Sequence, residues 1–237
     1  MPIKYTEADI IAKCEIAIKT PETFYNEPFV NYTGCCSGTG RPYTEVIAEY
    51  LIEHIEDFKK IRQITREEPY YTGTHSGVYS SSSPRTEEII AMKMFNYCKN
   101  DGGKYIEIGK IIDYQTPLKN VQVDEAGKID LLAYNRHDNI LRILELKKPD
   151  STETMLRCVL EAYTYLRIVN QRKLIEDFHV AYTWIRRTCT VKACPFIFKG
   201  SNPHKEYMAL AKRPMLGELM YLLDSVPIFI QKGYEIL

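Results

Sequence analysis

The sequence predicts an α/β fold, a central β-sheet flanked by helices, with a helical extension in front of it. Three observations predict it. Two β-like runs face each other across a polar turn between Lys128 and Lys147. The segment from Glu153 to Val169 repeats apolar residues (Leu156, Leu160, Tyr163, Leu166) at helical spacing, which makes a stripe to pack on the sheet. β-rich runs recur at His179 to Ile185 and Ala193 to Phe198, and strands alternating with helices mark an α/β domain.

With 237 residues, 45% of them hydrophobic, the chain can bury a full core in one large domain or one domain with an appendage. We place the division after residue 80, giving a helical and loop extension over 1–80 and the main domain over 81–237. No run approaches the roughly eighteen apolar residues of a membrane span, and Met1-Pro2-Ile3-Lys4-Tyr5 lacks a signal-peptide apolar region. A cytoplasmic protein with no membrane partner is therefore expected. Seven cysteines, an odd number without framework spacing, read as reduced thiols.

In the extension, Thr6 to Ile18 has helical periodicity behind a capping Thr6, and Tyr43 to Ile64 reads as a second amphipathic helix. Between them, Tyr32 to Pro42 is glycine-rich but lacks the Gly-Lys-Ser/Thr ending of a phosphate loop, so it reads as a linker. A second loop, Thr72 to Ser83, leads into the next helix, and His75 within it is expected in solvent. That helix starts at Pro84 to Phe95: Thr86 can cap it, Glu87 and Glu88 fill its first turn, and Ile90, Ala91 and Met94 recur at helical spacing. Lys104 to Pro117 reads as a strand with Ile106, Ile108, Ile111 and Ile112 as core and Asp113 and Gln115 near its end. A last helix, about His204 to Leu223, should break at Pro214, and Val226 to Ile230 should add an edge strand.

The Lys128–Lys147 hairpin carries the chemistry. Charges inside β-like runs incur a desolvation cost, so Asp130, Glu145 and Lys147 need a reason to be there. A tight reversal at His137-Asp138 pairs Tyr134 with Leu141 and Leu132 with Ile143, which carries Asp130 opposite Glu145. Side chains alternate along a strand, so Glu145 and Lys147 share the face that Asp130 joins. Two adjacent acids repel unless a hard divalent cation neutralises them, and Mg2+ takes oxygen ligands of this kind.

Ile129-Asp130 followed by Glu145-Leu146-Lys147 resembles the PD-(D/E)XK nuclease superfamily, which includes restriction endonucleases, recombination nucleases and repair exonucleases. Ile129 stands where the signature has proline, a position often replaced in the superfamily. The resemblance covers roughly residues 84 to 200. It implies a restriction-endonuclease-like core, a mixed central β-sheet flanked by helices, and Mg2+-dependent hydrolysis of phosphodiester bonds, with Mn2+ as an alternative metal. Asp130, Glu145 and Lys147 would be catalytic. The metal would be held by Asp130, Glu145 and an acid of the preceding helix, Glu87 or Glu88, of which Glu87 is preferred because it flanks the stripe of Ile90, Ala91 and Met94. By analogy Arg157 would hold a phosphate and Glu161 would orient Lys147 or a water, with Lys148 and Gln115 as further substrate contacts. The competing explanation for Arg157 and Glu161 is a helix surface pair at spacing four. Many relatives dimerise, which makes a homodimer an option.

The net charge is zero, yet residues 140–213 hold 14 Lys+Arg against 7 Asp+Glu, whereas residues 1–139 hold 16 against 21. Positive charge thus gathers around and after the hairpin, as a nucleic-acid partner, DNA ahead of RNA, would require. Arg186-Arg187, Lys192, Lys199 and Lys212-Arg213 are the candidate backbone contacts. Two other readings stay open. One is a catalytically inactive nucleic-acid-binding or assembly module with the same fold. The other is a non-nuclease α/β protein in which Lys147 simply bridges Asp130 and Glu145.

Overall fold

A computed structural model describes residues 4–78, 85–119, 127–231 and 233. The end of the second loop, residues 79–83, and Pro84 lie outside the described residues. The extension forms α1 (Glu7–Ala17), α2 (Tyr43–Glu53) and the short α3 (Ile55–Phe58), with 3-10 turns at Phe24–Asn26 and Pro28–Asn31. The remaining order is α4 (Thr86–Lys99), β1 (Lys110–Pro117), β2 (Lys128–Asn135), β3 (Ile140–Lys147), α5 (Met155–Ile168), α6 (Gln171–Ala181), β4 (Thr190–Phe198), α7 (Asn202–Met208), α8 (Pro214–Leu222) and β5 (Ile228–Ile230).

The α/β expectation holds: one five-stranded mixed sheet runs β1-β2-β3-β4-β5, flanked by helices. The first three strands form an antiparallel meander, and β4 and β5 add parallel to β3. α5 and α6 make the crossover that a parallel β3–β4 pair needs. Strand alternation divides the core between two faces. Leu131, Leu144, Leu146 and Phe196 pack under α4, whereas Leu132, Leu141, Ile143 and Ile197 pack under α5. Burial of Ile10, Ile47 and Leu51 places α1 and α2 in that second core, so these helices share the main domain's apolar interior.

Several elements differ from expectation. His179 to Ile185 is not a strand: its first residues end α6, which Asn170 caps by accepting the Lys173 N–H. Leu174 and Phe178, four apart, bury one helical stripe while Val180 stands exposed, so tertiary packing overrides local β preference. The strand expected from Lys104 begins only at Lys110, and Ile106 is exposed rather than core. A tight bridge between Tyr105 and Gly109 turns the chain there. The helix expected from Tyr43 to Ile64 stops as α3 at Phe58, and Ile64 donates its N–H to the Ile168 carbonyl at the end of α5. Thr86 is the first residue of α4 rather than its cap, which is Arg85. Thr6 caps α1 through a reciprocal box with Asp9. The break at Pro214 separates α7 from α8, and β5 pairs at the sheet edge as expected.

Gly109 has φ +79°, and a Cβ there would overlap the Tyr134 carbonyl oxygen. Gly109→Ala is expected to cost about 2–4 kcal/mol by strain and overlap together, read as a lower urea midpoint at unchanged slope. An unshifted midpoint would refute this.

Candidate active site

The register predicted for the hairpin is the one observed: Tyr134 pairs with Leu141, Leu132 with Ile143, and Leu131 with Leu144. Continuing it by one residue sets Asp130 opposite Glu145. Both acids and Lys147 lie on the face shared by Ile143 and Leu132, toward α5.

Asp130 is fixed from two sides. Its Oδ1 accepts from Gln115 Nε2 at 2.9 Å and its Oδ2 from the Leu146 backbone N–H at 3.0 Å. Gln115 reaches it from a residue at φ +49° near the end of β1, close to the bulge between Ile111 and Asp113. Burial pushes the Asp130 carboxyl up to about 7, opposed by the Lys147 charge and reinforced by Glu87. Glu145 is 4% exposed, and burial followed by the Asp130 charge raises its pKa well above the ordinary range. Its Oε1 accepts from Lys147 Nζ at 3.3 Å, while its Oε2 is buried with no hydrogen-bond partner.

Lys147, itself buried, is held at 2.6 Å by Glu161 Oε2 and also pairs with Glu153 at 3.2 Å. Burial works against its ammonium, but Glu161 and then Glu145 outweigh it, so its pKa stands well above the usual value. Glu161 therefore orients Lys147 rather than pairing with Arg157 along the helix. Lys147 bridges three glutamates, Glu145, Glu153 and Glu161, and its recorded ion pairs do not include Asp130.

Of the two helix acids, Glu87 turns toward the strand end, where its Oε1 accepts the Lys148 backbone N–H at 2.9 Å. Glu88 pairs with Arg85 at 3.2 Å. Glu87, Glu88, Gln115, Asp130 and Lys148 line one cleft of about 460 Å³, together with Arg85 and Thr86. Arg157 is elsewhere: its Nη1 donates to the Tyr25 carbonyl at 2.8 Å and its Nη2 to Asn26 Oδ1 at 3.3 Å. Its guanidinium is engaged by the extension and by Glu153, which explains why it does not line the cleft.

Other expected contacts are also committed internally. Arg187 pairs with Glu176, Lys192 with Asp224, and Arg213 with Glu206. His75 is not in solvent: its Nδ1 lies 2.6 Å from Asp113 Oδ1, and its ring packs on Tyr114. Sequence reasoning missed Glu153, Tyr25 and Tyr165. Glu153 sits four residues before Arg157 and eight before Glu161, a spacing that could have flagged it. Tyr25 had no sequence signal. All seven cysteines are free. Among the described residues no helix is long and apolar enough to cross a membrane.

No protein-family model, curated protein or solved structure matches this chain. Fold and site together define an α/β protein with a five-stranded mixed sheet and a buried acid–lysine cluster at the open end of its central hairpin.

Proposed function

We propose that this chain is a Mg2+-dependent nuclease with a restriction-endonuclease-like core, hydrolysing phosphodiester bonds in nucleic acid, DNA in the first place. The observation that carries the reading is Asp130 beside Glu145-x-Lys147 at the mouth of the hairpin, with one Glu145 oxygen buried and unpartnered. The order of helix, three-strand meander, helix and parallel strand supports it.

The donor set suits a hard divalent cation. Three glutamates, Glu145, Glu153 and Glu161, share one lysine beside Asp130, and an orphaned buried Glu145 oxygen asks for a cation. Asp130 and Glu145 would hold it. Glu87 is the candidate third ligand from the same cleft, although among the described residues no three His, Cys, Asp or Glu side chains are grouped closely enough to hold a metal ion. Glu87 would have to exchange the Lys148 N–H for the metal. When bound, Mg2+ supplies Lewis acidity toward a phosphate oxygen and lowers the pKa of a bound water. Lys147, locked by Glu161, would position an attacking water or stabilise charge growing on the phosphate. Gln115 and the Leu146 N–H keep Asp130 aimed. Lys148 lies at the cleft to meet the substrate backbone. The test is cleavage of mixed DNA and RNA substrates with and without Mg2+ or Mn2+, and metal-independent or absent cleavage would overturn the reading.

A pH prediction accompanies the metal. The folded pKa of Asp130, about 7, lies above that of an ordinary aspartate, so between roughly pH 4 and 7 the folded chain keeps a proton that the unfolded chain has lost. The Asp130 contribution to metal-free stability is therefore fully present below that window and is lost as pH rises through it. A divalent cation held by Asp130 would take the place of that proton. The melting temperature without metal should be lower near pH 8 than near pH 5, and Mg2+ should restore it at the higher pH. Calorimetry in two buffers near pH 6.5 should record proton release on binding; no binding heat and no Mg2+ effect on melting would remove the metal site.

One observation favours a second reading. The Lys147 ammonium is already shared by three carboxylates, as a purely structural ion-pair cluster would have it. A non-nuclease α/β protein with such a cluster would neither bind the metal nor cut, whereas metal binding without cleavage would mark an inactive nucleic-acid-binding or assembly module.

A further inference from the structure

Residues 24–31 of the extension pack beside the acid–lysine cluster. The turns at Phe24–Asn26 and Pro28–Asn31 meet the start of α5, the second through Thr154. Thr154 donates its N–H to Asn31 Oδ1 at 2.7 Å and its hydroxyl to the Val30 carbonyl at 2.8 Å. One residue earlier in the chain, Glu153 carries two contacts at once: one oxygen pairs with Lys147 Nζ at 3.2 Å, the other with Arg157 Nε at 3.3 Å. The same guanidinium donates to the Tyr25 carbonyl and to Asn26 Oδ1, and lies 5.7 Å from the Tyr25 ring centroid. Tyr25 packs edge-on against Tyr165 of α5, with ring centroids 6.0 Å apart. Both rings are buried, and the Glu145 and Glu161 charges act on both hydroxyls. An unbroken path thus runs from the extension through Arg157 and Glu153 to Lys147.

We propose that Arg157 is a positioning residue of the active site, tying the Tyr25–Asn26 turn through Glu153 to the Lys147 ammonium, which makes the N-terminal extension part of the catalytic unit. The inference rests on the nuclease reading of the cluster. Physically, a long lysine has four rotatable bonds, and its ammonium is useful only where its partners hold it. Glu161 and Glu145 come from the main domain. Glu153 lies ahead of the Thr154 cap, outside the regular helix, and depends on Arg157 for its orientation. Arg157 in turn is oriented by its fork onto Tyr25 and Asn26. A guanidinium is suited to this because its planar donors engage several acceptors at once, which a lysine at the same position would not do.

Two measurements on the full-length chain test the link. The first needs no activity: Lys147 acylation by a succinimidyl ester, followed by peptide mass spectrometry on metal-free protein. Wild-type Lys147 should react slowly, and Arg157→Gln or Glu153→Gln should each speed it about fivefold through local opening. Combining them should add little, because both break the same path. Labelling of the exposed Lys199 normalises reagent activity, and circular dichroism under the labelling conditions checks that each variant stays folded. If Arg157→Gln does not fold, Asn26→Ala, which removes one acceptor of the guanidinium, should still speed labelling about twofold. Unchanged labelling, or additive single effects, would overturn the proposal.

The second measurement is kinetic. Arg157→Lys should lower kcat about tenfold while KM and its salt dependence stay at wild-type values. A raised KM with a salt slope reduced by about one would instead identify a phosphate contact and overturn the positioning role. A wild-type chain that cuts nothing would end the nuclease reading, and the labelling measurement would still decide whether the extension holds Lys147.

Discussion

Asp130→Asn is expected to abolish Mg2+-dependent cleavage, by about 10³-fold or more, while making the metal-free protein more stable near pH 8. The asparagine carbonyl can keep the Leu146 N–H, and its amide can donate to Gln115 once that amide turns over, so the local bonds survive. What disappears is a carboxylate that burial and its neighbours hold at about 7. Relieving it should add about 1–3 kcal/mol, several degrees in melting temperature for a chain of this size. Opposite signs for activity and stability separate a functional acid from a structural one: a variant that loses both was a structural ion pair. The gain should shrink toward pH 5, where wild-type Asp130 carries its proton.

Lys147→Met should have the largest effect on folding. It takes the one ammonium away from Glu145, Glu153 and Glu161, two of them buried. Breaking a buried ion pair from one side costs about 3–5 kcal/mol, because the partner charge stays behind. The loss should shrink as pH falls, because burial raises the Glu145 pKa and a protonated Glu145 needs no cation. Adding Glu161→Gln to Lys147→Met should recover part of the stability but none of the cleavage. Urea unfolding of the four proteins at two pH values closes the cycle; equal losses at both pH values would contradict this electrostatic account.

The hairpin was legible because its information is local. Alternation and a polar turn set the register, and the register alone carried Asp130 opposite Glu145 and put Lys147 on the same face. The α5 stripe and the break at Pro214 were legible for the same reason, since each follows from spacing within one segment. Val180 to Ile185 misled because β-branched and aromatic residues there serve a helix end and the turn after it, where Phe178 rather than Val180 finds the core. Ile106 misled in a similar way: one apolar residue in a strand-like pattern was left outside by the turn at Gly109.

By itself the sequence determined the helix–meander–helix order from α4 to α5, the pairing of the central hairpin and the three charged residues at its mouth, because these depend on periodicities of two and 3.6 residues. Only the tertiary structure decided which charges meet across the chain. It set Glu87 rather than Glu88 against Lys148, gave Glu161 and Glu153 to Lys147, and turned Arg157 away from the cleft toward Tyr25 and Asn26. Those choices join residues up to 132 positions apart, and no local period reports on them. They follow from how α4, α5 and the extension pack around the sheet, where a few ångströms settle which carboxylate reaches a buried ammonium first.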